Sequence, residues 1–200
     1  MCNHYYLGTS SDFDYSSILL IRLQRVAYLG LILTPLLLGL SFEKFGITFQ
    51  FLLLIPLAVV SGPLFLIDAT TLKLPNSITY PVAAILMIMR FTYSIYTQKI
   101  NDLTEPIFKA FLFAALFLCL YLITRGGVGA GDVKLAFIIG LSIKELDVSI
   151  LLALVLISFI LSAAYSLALL IRGGADLKSK IPFGPFLLLG AWASTLFLVP

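Results

Sequence analysis

The feature that most constrains this chain is a succession of long apolar runs. They fall at about residues 26–42, 47–67, 78–96, 106–124, 133–143, 148–171 and 183–199. About 20 apolar residues in a helix cross the roughly 30 Å hydrocarbon core of a bilayer, and only helices or closed barrels can do so without stranding backbone polar groups. The pattern predicts an all-α polytopic membrane protein with about seven transmembrane helices, the fifth of them short. Only 12% of residues are charged, against about 25% in a soluble domain. Mean hydropathy is +1.08. Pro35, Pro56, Pro63 and Pro81 lie in or near the runs and are expected at kinks, which membrane helices tolerate.

Charge in the connections predicts the orientation. Arg22, Arg25, Lys73, Arg125, Lys134, Arg172, Lys178 and Lys180 fall in one alternating set of segments. The other set, 43–46, 97–105 and 144–147, has Lys44, Lys99 and Lys144, outnumbered by Glu43, Asp102, Glu105, Glu145 and Asp147. Cations concentrate on the cytoplasmic side, so the first set, with the N-terminus, is assigned there. The predicted division is a polar cytoplasmic N-terminal segment at 1–25 and a membrane-embedded domain at 26–200. Residues 1–17 are polar and hold no cation, a poor start for a cleaved signal, so this end is expected to be retained. A net charge of +3 without a basic cluster fits topology and gives no reason to expect a nucleic-acid partner. Cys2 and Cys119 make no metal or disulfide spacing, and Cys119 reads as an apolar filler within a helix. Arg90 and Lys109 lie in apolar runs near the outer boundary and are expected to snorkel to it.

Of the ten acidic residues, only Asp68 and Asp132 directly abut an apolar run on the cytoplasmic side. Asp68 closes the second run in FLIDATTLKLPNSIT, and Asp132 opens the fifth in GGVGAGDVKLAFIIG. Taken singly, each reads as a helix-end carboxylate, Asp132 as the N-cap of its helix. Taken together, they offer a chemistry. Two nearby carboxylates do not both ionise easily, so one can draw a proton from water while the other polarises a peptide carbonyl. Gly126, Gly127, Gly129 and Gly131 would free the backbone to take unusual angles and let an extended peptide approach. The glycines lack the Lys-Ser/Thr of a P-loop and the third glycine of a dinucleotide fingerprint. The segment RGGADLKSKIP at 172–182 reads as a solvated turn, with a lid or substrate contact as the alternative.

The strings DATTLKLPN at 68–76 with Pro75-Asn76, Gly129-Ala130-Gly131-Asp132, and IPFGPFLLLG at 181–190 occur in that order. Together they resemble the type IV prepilin peptidases, a GxGD family of intramembrane aspartyl proteases. The Tyr-Asp and Pro-Ala-Leu motifs of the presenilin-like group are absent. The resemblance implies an inner-membrane endopeptidase that removes the leader of prepilin-like precursors at the cytoplasmic face. It implies Asp68 and Asp132 as the catalytic pair, Gly129 and Gly131 as residues shaping the second aspartate's loop, and neither metal nor cofactor. Lys73, Pro75, Asn76 and Lys134 match motif positions. Lys134 is either an electrostatic partner of the aspartates or substrate, or a topology anchor. Bifunctional relatives carry a CxxC-bearing insertion between their first two helices that also methylates the product. Here that connection is only about SFEKFG, so methyl transfer is not expected. The rival readings are a proton-coupled transporter, since intramembrane carboxylates also relay protons, and a catalytically silent pilus-assembly factor.

Overall fold

A computed structural model describes residues 28, 30–124, 128–172 and 181–199. It contains seven helices and, among the described residues, no strand. Helix α1 covers residues 30–45. It is followed by α2 (Phe49–Thr71), α3 (Asn76–Thr97), α4 (Asn101–Ile123), α5 (Ala130–Ser142), α6 (Val148–Ile171) and α7 (Gly184–Leu198). Four of these, α2, α3, α4 and α6, are long and apolar enough to cross a membrane. The chain is a multi-pass membrane protein.

Helix α4 starts five residues before the apolar run, so most of the expected outer loop at 97–105 is helical. Its polar opening, NDLTE, suits a first turn. Asp102 is placed where the helix dipole favours an anion and accepts a 2.7 Å hydrogen bond from Thr97 Oγ1. Gln98, with φ 55°, reverses the chain in the three residues that remain. Pro56 and Pro63 lie inside α2 and Pro81 inside α3, and all three leave the helix unbroken.

The two shortest of these helices form the centre. At 1.5 Å per residue, α5 is about 20 Å long, well short of a bilayer core. Eight of its 13 residues are buried, and it packs on α2, α3, α4 and α7. Nine of the 15 residues of α7 are buried. By contrast, only Ile150, Leu154 and Ser158 of the 24 residues in α6 are buried, a single stripe at intervals of four. The outward faces of α4 and α6 carry Phe108, Phe111, Leu122, Leu152, Leu156 and Ile160, an apolar surface suited to lipid. Cys119 is exposed on α4, so it faces outward and does not fill the interior.

Helices paired in lipid approach closely where residues are small. A Cβ at Gly140 would lie 2.7 Å from Ala110 Cα, which brings α5 against α4. One at Gly190 would lie 2.1 Å from Ser158 Oγ and 2.7 Å from Leu154 O, which brings α7 against α6. Trp192 Nε1 donates to Ser61 Oγ at 2.9 Å and ties α7 to α2.

Among the described residues, the connections gather at two ends, as the charge pattern grouped them. Lys44, Gln50, Tyr93, Lys144 and Val199 line one cavity at one end, and Lys44 Nζ donates to Leu196 O at 2.7 Å. The 72–75 connection, Gly129–Gly131 and residues 181–183 gather at the opposite end.

The structure corrects the reading of Arg90. It does not snorkel. It is 1% exposed, and its guanidinium turns inward to carbonyls at the end of α5. Because α5 is short and ends inside the fold, its terminal carbonyls offer Arg90 a nearer polar partner than solvent. Lys109 does reach polar partners, 2.7 Å from Glu105 and 3.9 Å from Asp147, at the end where Lys144 lies.

Candidate active site

Asp68 lies on the last turn of α2, not in the loop that follows, and is 6% exposed. The helix ends three residues later at Thr71 and is capped by Leu72, whose φ of 55° is uncommon for a branched side chain and turns the chain sharply. The carboxylate finds its partner across the fold: Gly184 N–H, the first residue of α7, donates to Asp68 Oδ2 at 3.0 Å. Pro185 follows, and it suits the first turn because no intrahelical donor is needed there. The start of α7 therefore supplies both an N–H and the positive end of a helix dipole to Asp68.

Asp132 is 4% exposed. It is the third residue of α5 and not its N-cap, a position that Gly129 holds. Asp132 Oδ2 accepts the Gly129 N–H at 2.9 Å, satisfying one of the unpaired donors at the helix start. Its Oδ1 is left facing α7. A Cβ built on Gly184 would sit 2.6 Å from Asp68 Oδ2 and 3.5 Å from Asp132 Oδ1. The two oxygens are therefore at most about 6 Å apart, a range over which carboxylates feel one another's charge. A side chain at Gly184 would crowd both carboxylates, and any residue larger than glycine would have to displace Asp68 Oδ2.

Both carboxylates line a cavity of about 290 Å³, together with Thr71–Leu74, Gly129, Gly131 and Ile181–Phe183. It is large enough for several waters and a stretch of peptide backbone.

The glycines act by close approach. Gly129 has φ −77° and ψ 147°, ordinary extended backbone, and Gly131 lies within α5. Among the described glycines only Gly46 has positive φ, so freedom of backbone angle is not what Gly129 and Gly131 supply. A Cβ at Gly131 would come within 3.0 Å of Leu74 Cβ, and one at Gly129 within 3.3 Å of Asp132 Oδ2. Gly126 and Gly127 lie outside the described residues, as do residues 173–180 and the segment 1–27.

The remaining motif residues divide. Lys73 is exposed and lines the cavity. Pro75 caps α3, its carbonyl accepting the Ile78 and Thr79 N–H groups at 3.1 and 3.2 Å. Lys134 Nζ donates to Asn76 Oδ1 and lies 5.2 Å from the centre of the Tyr80 ring, which ties α5 to α3 beside the cavity. Among the described residues no ion pair within 4.0 Å joins Lys134 to either aspartate. Gly184 was missed as a site residue. The signal was the IPFGP string itself, but nothing local names Asp68 as its partner, 116 residues away. Among the described residues no group of three or more His, Cys, Asp or Glu is placed to hold a metal ion.

The family model that describes type IV leader peptidases matches residues 51–167. The match includes both aspartates and stops before the segment that brings Gly184 to Asp68. No curated protein and no solved structure matches the chain.

Proposed function

The chain belongs to the type IV leader peptidase family, and from that premise we propose that it is an aspartic endopeptidase using Asp68 and Asp132 as its catalytic pair. The substrate is the junction between the leader and the apolar helix of a prepilin-like precursor. The observation that carries this reading is the meeting of two buried carboxylates across Gly184 in a cavity at one end of the bundle. One carboxylate, ionised, takes a proton from a water held between them. The other, protonated, polarises the scissile carbonyl, and the water oxygen adds to it. The proton then passes to the departing amine. No covalent intermediate forms. Gly129, Gly131 and Leu72–Leu74 give the peptide a wall of closely approachable backbone, and exposed Lys73 lies at the mouth.

Positive-inside charge supports a cytoplasmic face for this end, where a membrane-anchored precursor would expose its leader. The α1–α2 connection spans only residues 46–48, too short for a folded insertion, and this supports a peptidase without methyl transfer.

The test is leader cleavage by the purified full-length protein in liposomes. Asp68→Asn and Asp132→Asn should each reduce kcat by about a thousandfold or more while inserting normally. Near-normal cleavage by either variant would remove the pair from the mechanism. Proton or solute flux with intact precursor would favour a transporter. Precursor capture that survives loss of both aspartates would favour an assembly factor.

A further inference from the structure

Arg90 is a buried cation that the peptidase reading leaves unused. It sits on α3 about seven residues, or roughly 10 Å, before the helix ends. Its Nε and Nη2 both donate to Leu141 O, at 3.1 and 2.9 Å, and Nη2 also donates to Ile143 O at 2.7 Å. Between those carbonyls, Ser142 O accepts from Gln50 Nε2 of α2 at 3.3 Å, and Gln50 Oε1 accepts the Lys144 N–H. Three consecutive carbonyls at the end of α5 are therefore held by side chains from two other helices. The Phe49 ring lies 5.9 Å from the guanidinium and stacks on Tyr93, closing one side.

The need for this follows from the length of α5. The helix begins beside the cavity, where Asp132 is its third residue, and ends after 13 residues. Leu141, Ser142 and Ile143 at its far end are fully buried, and carbonyls so placed must find donors within the protein. Ile143 leaves the helix in an extended conformation, so no following turn supplies them. A guanidinium fits because it forks over a carbonyl, keeps its charge when buried and complements the negative end of the helix dipole.

We infer that Arg90, with Gln50, is a positioning clamp that sets how far α5 extends toward the cavity, and so sets the separation of Asp132 from Asp68. The catalytic consequence rests on the peptidase reading above. The clamp itself does not. The other directional tie the described residues give α5, Lys134 to Asn76, is one exposed side-chain bond near its start. Most of its remaining packing partners are apolar side chains, over which a helix can slide by a fraction of a turn, whereas the three buried carbonyls are directional acceptors.

The experiment uses full-length protein lacking Cys2 and Cys119, with spin labels at exposed Thr70 and Ala130. Cleavage kinetics are measured on matching unlabelled protein. Arg90→Met should shift or broaden the label distance on the scale of a residue's rise, about 1.5 Å or more. It should lower kcat about a hundredfold with KM within about twofold, as expected when reacting groups are misplaced by about 1 Å. Arg90→Lys, which keeps the charge and loses the fork, should recover part of both. An unchanged distance with unchanged kcat overturns the clamp. So does a lower melting temperature with unchanged distance, which would make Arg90 a stability residue only. If Arg90→Met does not accumulate folded, Arg90→Lys and Gln50→Leu carry the same comparison. If the unmutated protein cleaves no leader, the peptidase reading has failed, and the label distance alone decides the clamp.

Discussion

Asp68 and Asp132 each accept one backbone N–H, and each of those donors belongs to a glycine. Gly184 has the narrower tolerance, because any β-carbon there intrudes between the carboxylates. Gly184→Ala should lower cleavage about a hundredfold by forcing Asp68 away from its position. It should also cost about 1–3 kcal/mol of stability through overpacking. Gly39→Ala is the control: nothing lies within 4 Å of its added carbon, so it should be neutral or stabilise α1 by up to about 1 kcal/mol. Rates in liposomes and melting in detergent measure both. If Gly184→Ala cleaves at the unmutated rate, the space between the aspartates is not what excludes a side chain. The aspartates and their motifs were legible in the sequence because carboxylates beside apolar runs are conspicuous. The contact between Asp68 and Gly184 was not, because it joins α2 to α7 through a backbone N–H that every non-proline residue possesses.

The elements divide into long helices facing lipid and short ones packed at the centre. Burial of α5 and α7 requires neighbours to come close, and Gly140 and Gly190 permit it. Gly190→Leu should separate α7 from α6 and destabilise the fold by about 1–3 kcal/mol, because Ser158 and the Leu154 carbonyl already occupy the space. A melting temperature unchanged in detergent would show that the two helices are not held at that point. Lys134→Met breaks the tie to Asn76 and should cost about 1 kcal/mol, the net worth of one such hydrogen bond, with less effect on cleavage than any change at the aspartates. Helix existence was legible from hydropathy, and boundaries came within a few residues, except at α4. There the sequence reading stopped the helix at its first charged residues, although a polar first turn is still helix.

At the scale of the whole molecule, the bundle has two chemically different ends. One gathers Lys44, Lys144 and Glu145; the other holds the aspartate cavity. In oriented vesicles, a membrane-impermeant maleimide should label Thr71→Cys from the cytoplasmic side, and Lys44→Cys or Lys144→Cys only from the opposite side. Labelling of all three from one side would contradict the alternating path of the helices through the bilayer.

Sequence alone determined that this chain lives in a membrane, how many helices it forms, which connections share an end, and which two carboxylates are chemically notable. Those properties follow from local hydropathy, a fixed helical rise and charge counted along the chain. Only the tertiary structure decided that the shortest helices are central, that Gly184 abuts both aspartates, and that Arg90 turns inward to grip the end of α5. Each of these depends on where a helix stops relative to its neighbours. The groups involved are largely backbone amides and carbonyls, which are the same in nearly every residue and so leave no mark in the sequence.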